Sequence, residues 1–183
     1  MTEAVTEGEP QETAGTFSRP VPLNRSHAVA DFDCGKPSLN DFLIRYALQN
    51  QAGGSARTYV VLASANQVVT AYYSLAPGAV AVEDAPDRVT KGQPRHPIPV
   101  ILMARFAVDQ AFQGKGLGRT LFFDALTRAL HGAEEIGGRA FFVEAKDAQA
   151  EAFYRKLGME PSPTNPRHLF LLFKDVRKTL GSV

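Results

Sequence analysis

Apolar residues repeat at helical spacing in some stretches of the chain and crowd into strand-like runs in others. From Leu39 to about Gln49, Leu39, Phe42, Leu43, Tyr46 and Ala47 fall at i, i+3, i+4, i+7 and i+8, one face of a helix. Ser38 stands where an N-cap belongs, with Asp41 three residues on as its box partner, and Gly53-Gly54-Ser55 ends the helix. Thr58 to Ala63 and Val68 to Ala76 are β-rich runs separated by the polar Ser64 to Gln67. They predict an antiparallel hairpin closed by Pro77 and Gly78, with Ala79 to Val82 as a further short strand. Val100 to Val108 is apolar at nearly every position, the mark of a strand covered on both faces. A helix follows from Leu117 to about Ile136. Its Leu121, Ala125, Ala129 and Ala133 lie at i+4 steps, Phe122, Leu126 and Leu130 widen the stripe, and Gly137-Gly138 stops it. Ala140 to Ala145 reads as a strand. Asp147 caps a helix from Ala148 to Leu157, His168 to Phe173 is a last strand, and Asp175 to Leu180 a tail helix.

This alternation fits one domain, as does a length of 183 residues. Residues 1–18 hold Glu3, Glu7, Glu9 and Glu12, no Lys or Arg, and little to bury; they read as a disordered acidic tail ahead of a single domain over 19–183. The tail changes the picture of charge. The whole chain is formally +1, but without those four acids the body carries 20 Lys and Arg against 15 Asp and Glu, or +5. Such a body suits an anionic ligand or partner. Some of the excess sits in a proline-rich loop, Ala85 to Pro99, with Arg88, Lys91, Arg95 and His96; it is either a functional loop or a solvated one. No apolar run reaches the roughly 20 residues of a membrane helix, and no signal peptide is read. A single cysteine, Cys34, excludes an internal disulfide and fits a reducing cytoplasm. It is a candidate nucleophile or, more simply, a small half-buried residue.

The chemistry gathers between the long strand and the long helix. There the sequence runs Gln113-Gly114-Lys115-Gly116-Leu117-Gly118-Arg119. Glycines let backbone N–H groups approach a ligand with no Cβ in the way, and a helix N-terminus adds free N–H donors and partial positive charge. Together they suit a phosphate or pyrophosphate; the alternative is a tight turn with no ligand. The spacing is not that of a P-loop, and it falls one residue short of the G-x-G-x-x-G dinucleotide turn.

Gln113-x-x-Gly116-x-Gly118 does resemble the Q/R-x-x-G-x-G/A motif of the GNAT acyltransferase superfamily, and Ala104 to Asp109 before it resembles that family's central strand. A second segment, Ala150-Glu-Ala-Phe153-Tyr154 with Gly158-Met159, resembles the family's A-x-x-F-Y-x-x-x-G-F, with Met in place of Phe at the end. The resemblance implies an α/β GNAT fold: a mixed, mostly antiparallel sheet with a splayed central strand and helices on both faces. It implies acetyl-CoA as co-substrate and no metal. Phe106, Ala107 and Val108 match the backbone that pairs with the pantetheine arm, with an N–H near Val108 polarising the thioester carbonyl. Gln113, Gly114, Lys115, Gly116, Leu117, Gly118 and Arg119 match the pyrophosphate loop; the Lys115 and Arg119 side chains add charge there or are simply solvated. Tyr154 matches the general acid that protonates the leaving thiolate, against the plainer reading of a packed aromatic beside Phe153. No base stands out. Glu144 is a candidate or an exposed structural Glu, and an α-amine, unperturbed near pKa 8, can lose its proton through water far more readily than a lysine.

From Leu23 to about Leu172 the chain resembles one branch of the family, the GNAT toxins of bacterial toxin–antitoxin pairs. The shared stretches include Phe32-Asp33-Cys34-Gly35, Leu39-Asn40-Asp41-Phe42-Leu43, Ala71 to Ala76 and Pro97 to Val100. That branch implies acetylation of the α-amine of aminoacyl-tRNA, which blocks translation, and a small ribbon-helix-helix antitoxin as partner. A homodimer in the cytoplasm is the expected form. Arg57, Arg88, Lys91 and Arg95 are the candidate phosphate contacts. The remaining readings are a GNAT enzyme acting on a small amine or a protein N-terminus, and a CoA-binding regulator without activity, against which Tyr154 argues.

Overall fold

The computed structural model describes residues 17–180, so residues 1–16 of the tail expected over 1–18 lie outside them. Its last two expected residues do not: Phe17 bridges Ala63, and Ser18 exchanges hydrogen bonds with Leu62. The chain forms one seven-stranded sheet, with strands β1 (Val21–Pro22), β2 (Arg57–Leu62), β3 (Val69–Val80), β4 (Ile98–Val108), β5 (Ala140–Glu144), β6 (Glu160–Pro161) and β7 (His168–Leu172). Their order is β1-β2-β3-β4-β5-β7-β6. Every pairing is antiparallel except β4 with β5. The expected mixed, mostly antiparallel sheet is therefore present.

Alternation along the strands divides the core between the two faces of the sheet. Val61, Tyr73, Ile101, Met103, Phe141 and Val143 meet the apolar stripe of α4 (Leu117–Ile136), together with Tyr154 of α5 (Ala148–Lys156). Val60, Leu62, Tyr72 and Ala107 meet Phe42, Leu43 and Ala47 on the other face. Leu121, Phe122 and Ala125 are fully buried, so the stripe read from the sequence is the face that packs. Fully burying a Leu or Phe side chain stabilises by roughly 1.5–3 kcal/mol. Among the described residues no helix is long and apolar enough to cross a membrane.

Four local expectations need correction. The first helix begins earlier than Leu39, as α1 (Pro37–Asp41), and runs through a π turn (Phe42–Tyr46) into α2 (Ala47–Ala52). Lys36, in extended conformation, takes the cap position, and Pro37 fills the first helical place, where its missing N–H costs nothing. Ser38 does not cap; its hydroxyl accepts from Lys146 Nζ. The π turn also shifts the apolar face, so Phe42, Leu43 and Ala47 are buried while Tyr46 is 50% exposed.

Secondly, Pro77 and Gly78 do not end a strand. They lie inside β3, paired with Ile101 and Val100. β2 borders β3 only as far as Leu75, so the far half of β3 is a sheet edge, where a residue without an N–H is tolerated. Thirdly, the loop before β4 is not free. It holds a short helix, α3 (Asp87–Thr90). Arg139 fastens it, donating from Nε to Val89 O at 3.0 Å and from Nη2 to the Arg88 and Lys91 carbonyls. The tail helix α6 (Phe173–Leu180) starts two residues before Asp175 and buries Phe173 and Val176.

Candidate active site

β4 and β5 run side by side only at Val100–Leu102 against Ala140–Phe142. Beyond Leu102 they part, while β3 stays paired with β4 to Val108. At the point of parting β4 carries a bulge: Ser74 pairs with Arg105 and Leu75 with Met103, leaving Ala104 without a partner. A bulge of this kind bends and twists a strand, here away from its parallel neighbour. The backbone of Met103 to Val108 is thereby left with an open edge, as expected for the splayed strand.

The strand ends at Val108, and the next carboxylate, of Asp109, accepts from Ala111 N at 2.9 Å and opens a short 3-10 turn, Gln110–Phe112. Gln113 follows, and its amide donates to Val108 O at 2.8 Å and Cys34 O at 3.3 Å. Gly114 and Gly116 then adopt φ +73° and +79°, the left-handed region that favours glycine. No atom lies within 4 Å of where a Cβ would stand at either position, so the glycines leave a cradle open as well as relieving strain. α4 begins directly after, its first N–H groups free to donate into that cradle. The Leu117 side chain is buried in the core, so its contribution can come only from the backbone. Lys115 Nζ lies 5.2 Å from the Phe112 ring centre and the Arg119 guanidinium 5.2 Å from that of Phe123, both beside the turn.

Into the same space comes Tyr154. Asp147 caps α5 as expected, its Oδ1 accepting from Ala150 N at 2.9 Å. The helix brings Tyr154 against Phe106 (ring centres 6.1 Å apart) and Phe122 (6.0 Å), with Phe153 over Phe106. A cleft of about 780 Å³ joins Phe106, Ala107, Val108, Gln113, Gly114, Gly116, Gly118, Arg119 and Tyr154. That is within the usual size of a small-molecule site. Tyr154 is 5% exposed. Burial, reinforced by the Asp147 carboxylate, pushes its phenol well above its ordinary pKa. Its hydroxyl makes no hydrogen bond among the described residues, yet none of them holds a fully buried polar side-chain atom without a partner. The hydroxyl therefore keeps access to the cleft, neutral and ready to donate. The packed-aromatic reading describes the ring and the general-acid reading describes the oxygen; the geometry accommodates both.

Other sequence candidates fall elsewhere. Cys34 touches the cleft but is 8% exposed, and burial raises its thiol, which suits packing rather than nucleophilic attack. Glu144 lies on the cleft wall at the end of β5. Of the four cations named for phosphate contact, Arg57 opens β2, paired with Leu75. Arg88, Lys91 and Arg95 precede β4 at its paired end. The strand is 11 residues long, so they stand roughly 33 Å along it from the glycine turn. The Arg88 guanidinium is engaged by Glu160 and by Asp175. The structure therefore does not bring these three cations to the cleft.

It brings others there that the sequence did not assign to the site. Lys36, Ser38, Arg105, Lys146 and Asp147 all line it. Beneath them Asp33 accepts from Gly35 N, Asn40 Nδ2 and Gln110 Nε2, and its own N–H donates to Asp109 Oδ2. These bonds hold the Asp33–Lys36 turn to the end of β4 and keep the Asp33 carboxyl below its usual pKa. Phe32 to Gly35 and Asn40 carried a family resemblance in the sequence, but only contacts across the fold show their bracing role.

A parted pair of strands, a glycine cradle on a helix N-terminus and a neutral tyrosine in one cleft define an acyl-CoA-dependent acyltransferase. The chain belongs to the GNAT acetyltransferase family: the family described as Acetyltransferase (GNAT) domain matches residues 54–161. It is an acetyl-CoA-dependent N-acetyltransferase. Over 165 residues it is 43% identical to the tRNA-acetylating toxin of Mycobacterium tuberculosis (strain ATCC 25618 / H37Rv), covering 90% of this chain and 98% of that one. Among solved structures it is similar to AtaT complexed with acetyl-methionyl-tRNAfMet, with TM-score 0.81 and 25% identity over 90% of this chain and 99% of the other. It is also similar to AtaTR bound with acetyl-CoA, with TM-score 0.77 and 25% identity over 90% and 98%.

Proposed function

We propose that this enzyme moves the acetyl group of acetyl-CoA to the α-amine of the amino acid on charged tRNA, and so acts as the toxin of a toxin–antitoxin pair. The observation that carries the reading is the 43% identity to a tRNA-acetylating toxin along nearly the whole of both chains. It spans far more than the cofactor motif that acetyltransferases of many substrates share. Acetylation removes the nucleophile needed for peptide-bond formation, which accounts for toxicity.

In this reading acetyl-CoA supplies an activated acetyl thioester. The open edge of β4 at Phe106, Ala107 and Val108 aligns the pantetheine arm, and a β4 N–H near Val108 holds the thioester carbonyl and the negative charge it gains. The backbone from Gln113 to Arg119 seats the pyrophosphate, helped by the α4 dipole. The neutral α-amine attacks the carbonyl carbon, the carbon–sulfur bond breaks, and Tyr154 gives its proton to the departing thiolate. The amine loses its own proton through water, which suits an α-amine unperturbed near pKa 8. Arg57, Lys91 and Arg95 contact tRNA phosphates away from the 3′ end, and Arg88 stays with its two carboxylates. A ribbon-helix-helix antitoxin, a homodimeric form and a cytoplasmic setting complete the reading.

The test mixes the purified protein, labelled acetyl-CoA and charged tRNA, then hydrolyses the ester. Label on the α-amine of the released amino acid is expected. Absence of label from every charged tRNA, beside brisk acetylation of a small amine or peptide, overturns it.

A further inference from the structure

Two bridges cross the mouth of the cleft. Lys36 Nζ, from the turn before α1, lies 2.8 Å from Asp147 Oδ2 at the start of α5. Beside it Lys146 Nζ donates to Ser38 Oγ. They join one face of the sheet to the other across the gap between β4 and β5. All four residues line the cleft, and so does Arg105, which stacks over Phe42 at 4.9 Å from the ring centre. The mouth thus holds three cations, and the acids beside them are Asp147 and Glu144.

We propose that Lys36 and Lys146 form the seat for the phosphodiester of the acceptor's 3′-terminal nucleotide, and that Asp147 and Ser38 occupy this seat until the acceptor arrives. The inference rests on the aminoacyl-tRNA reading above and names the residues that recognise the end of that substrate. Tyr154 lies two turns along α5 from Asp147, roughly 10 Å by the helix rise. An aminoacylated nucleoside spans a gap of that order, so its amine reaches Tyr154 while its phosphate rests on the two lysines.

The existing bridges suit exchange. The Lys36 and Asp147 side chains keep 45% and 37% exposure, so water already competes for the pair. A phosphodiester contacted by both lysines replaces one half-solvated carboxylate and one neutral hydroxyl. Asp147 is not stranded when Lys36 leaves, because its Oδ1 still accepts from Ala150 N and caps α5.

The experiment measures KM for charged tRNA, the salt dependence of tRNA binding and acetyl-CoA affinity by calorimetry. It compares wild type, the double variant K36Q/K146Q, and D147N, whose asparagine keeps the cap without the charge. The double variant should raise KM for charged tRNA by on the order of tenfold. It should also flatten the slope of log affinity against log salt by about 0.7, the contribution of one single-strand phosphate. Acetyl-CoA affinity should hold. D147N should bind charged tRNA more tightly, since it unmasks Lys36. An unchanged slope in the double variant overturns the proposal, as does a loss of tRNA binding in D147N equal to that of the lysine variant, which would make the bridge a brace. Wild type that acetylates charged tRNA while the variants stay unmoved sinks this inference alone; wild type inert on every charged tRNA sinks the functional reading and this inference with it.

Discussion

The two ends of β4 do different work. From Val100 to Leu102 the strand lies between β3 and β5 and is paired on both edges. Two of the cations near this end are committed to the fold: Arg139 holds three carbonyls of the α3 segment, and Arg88 holds two carboxylates. From Met103 to Val108 the strand keeps β3 and loses β5, and the bulge at Ala104 marks the change. Here, among the described residues, the backbone edge is open, the glycine cradle is open and the Tyr154 hydroxyl is unbonded. In the proposed reading, function sits where the chain leaves its hydrogen-bonding capacity unspent, and stability sits where it uses it. Arg88 is therefore a poor guide to the substrate, however prominent in the sequence.

Changes at the open end should act on chemistry and spare the fold. Tyr154→Phe removes only the hydroxyl and should cut turnover by on the order of 10²–10⁴, the range for a general acid, with acetyl-CoA affinity nearly unchanged. Turnover within about threefold of wild type would assign the proton to water. Gly118→Glu is next. A Cβ there meets Phe153, Phe106 and Val108 at ordinary contact distances of 3.8–3.9 Å, so the backbone tolerates it. If the turn seats the pyrophosphate as proposed, the carboxylate enters that seat, and calorimetry should show acetyl-CoA affinity down by on the order of 100-fold with thermal unfolding near wild type.

At the paired end the pattern should reverse. Arg139→Ala leaves carbonyls of Arg88, Val89 and Lys91 without their donor. It should cost about 1–3 kcal/mol in denaturant unfolding and leave acetyl-CoA affinity alone. A smaller effect separates stability from chemistry by pH. Tyr72, Tyr73 and Tyr154 are all held above their ordinary pKa by burial, with Asp124 adding to Tyr73. The folded state keeps these protons more tightly than the unfolded chain. Stability is therefore intact below about pH 10 and falls as pH rises beyond it. The rate should rise through the pKa of the acceptor amine near 8 and show no decline up to pH 10 from loss of the Tyr154 proton. Melting curves and rates between pH 7 and pH 11 check both.

Much of this division was legible in the sequence, because the open end is built locally. The glycine spacing, the Asp147 cap and the i+4 stripe of α4 each lie within a few residues, and each forms where the pattern placed it. What stayed hidden depends on residues far apart in the chain. That Pro77 continues β3 depends on β2 ending opposite Leu75. That Arg88 is engaged depends on Glu160 and Asp175. The cations at the cleft mouth, Lys36 and Lys146, reach it from opposite sides of the sheet, one before α1 and one after β5. No window along the sequence contains both.

The most direct test of the account is a crystal structure with acetyl-CoA bound. The account predicts the pantetheine arm along the open edge of β4 from Met103 to Val108, the pyrophosphate on the backbone of Gln113 to Arg119, and the Tyr154 hydroxyl within hydrogen-bond reach of the thioester sulfur. A cofactor seated away from that edge, or a sulfur out of reach of Tyr154, would contradict it.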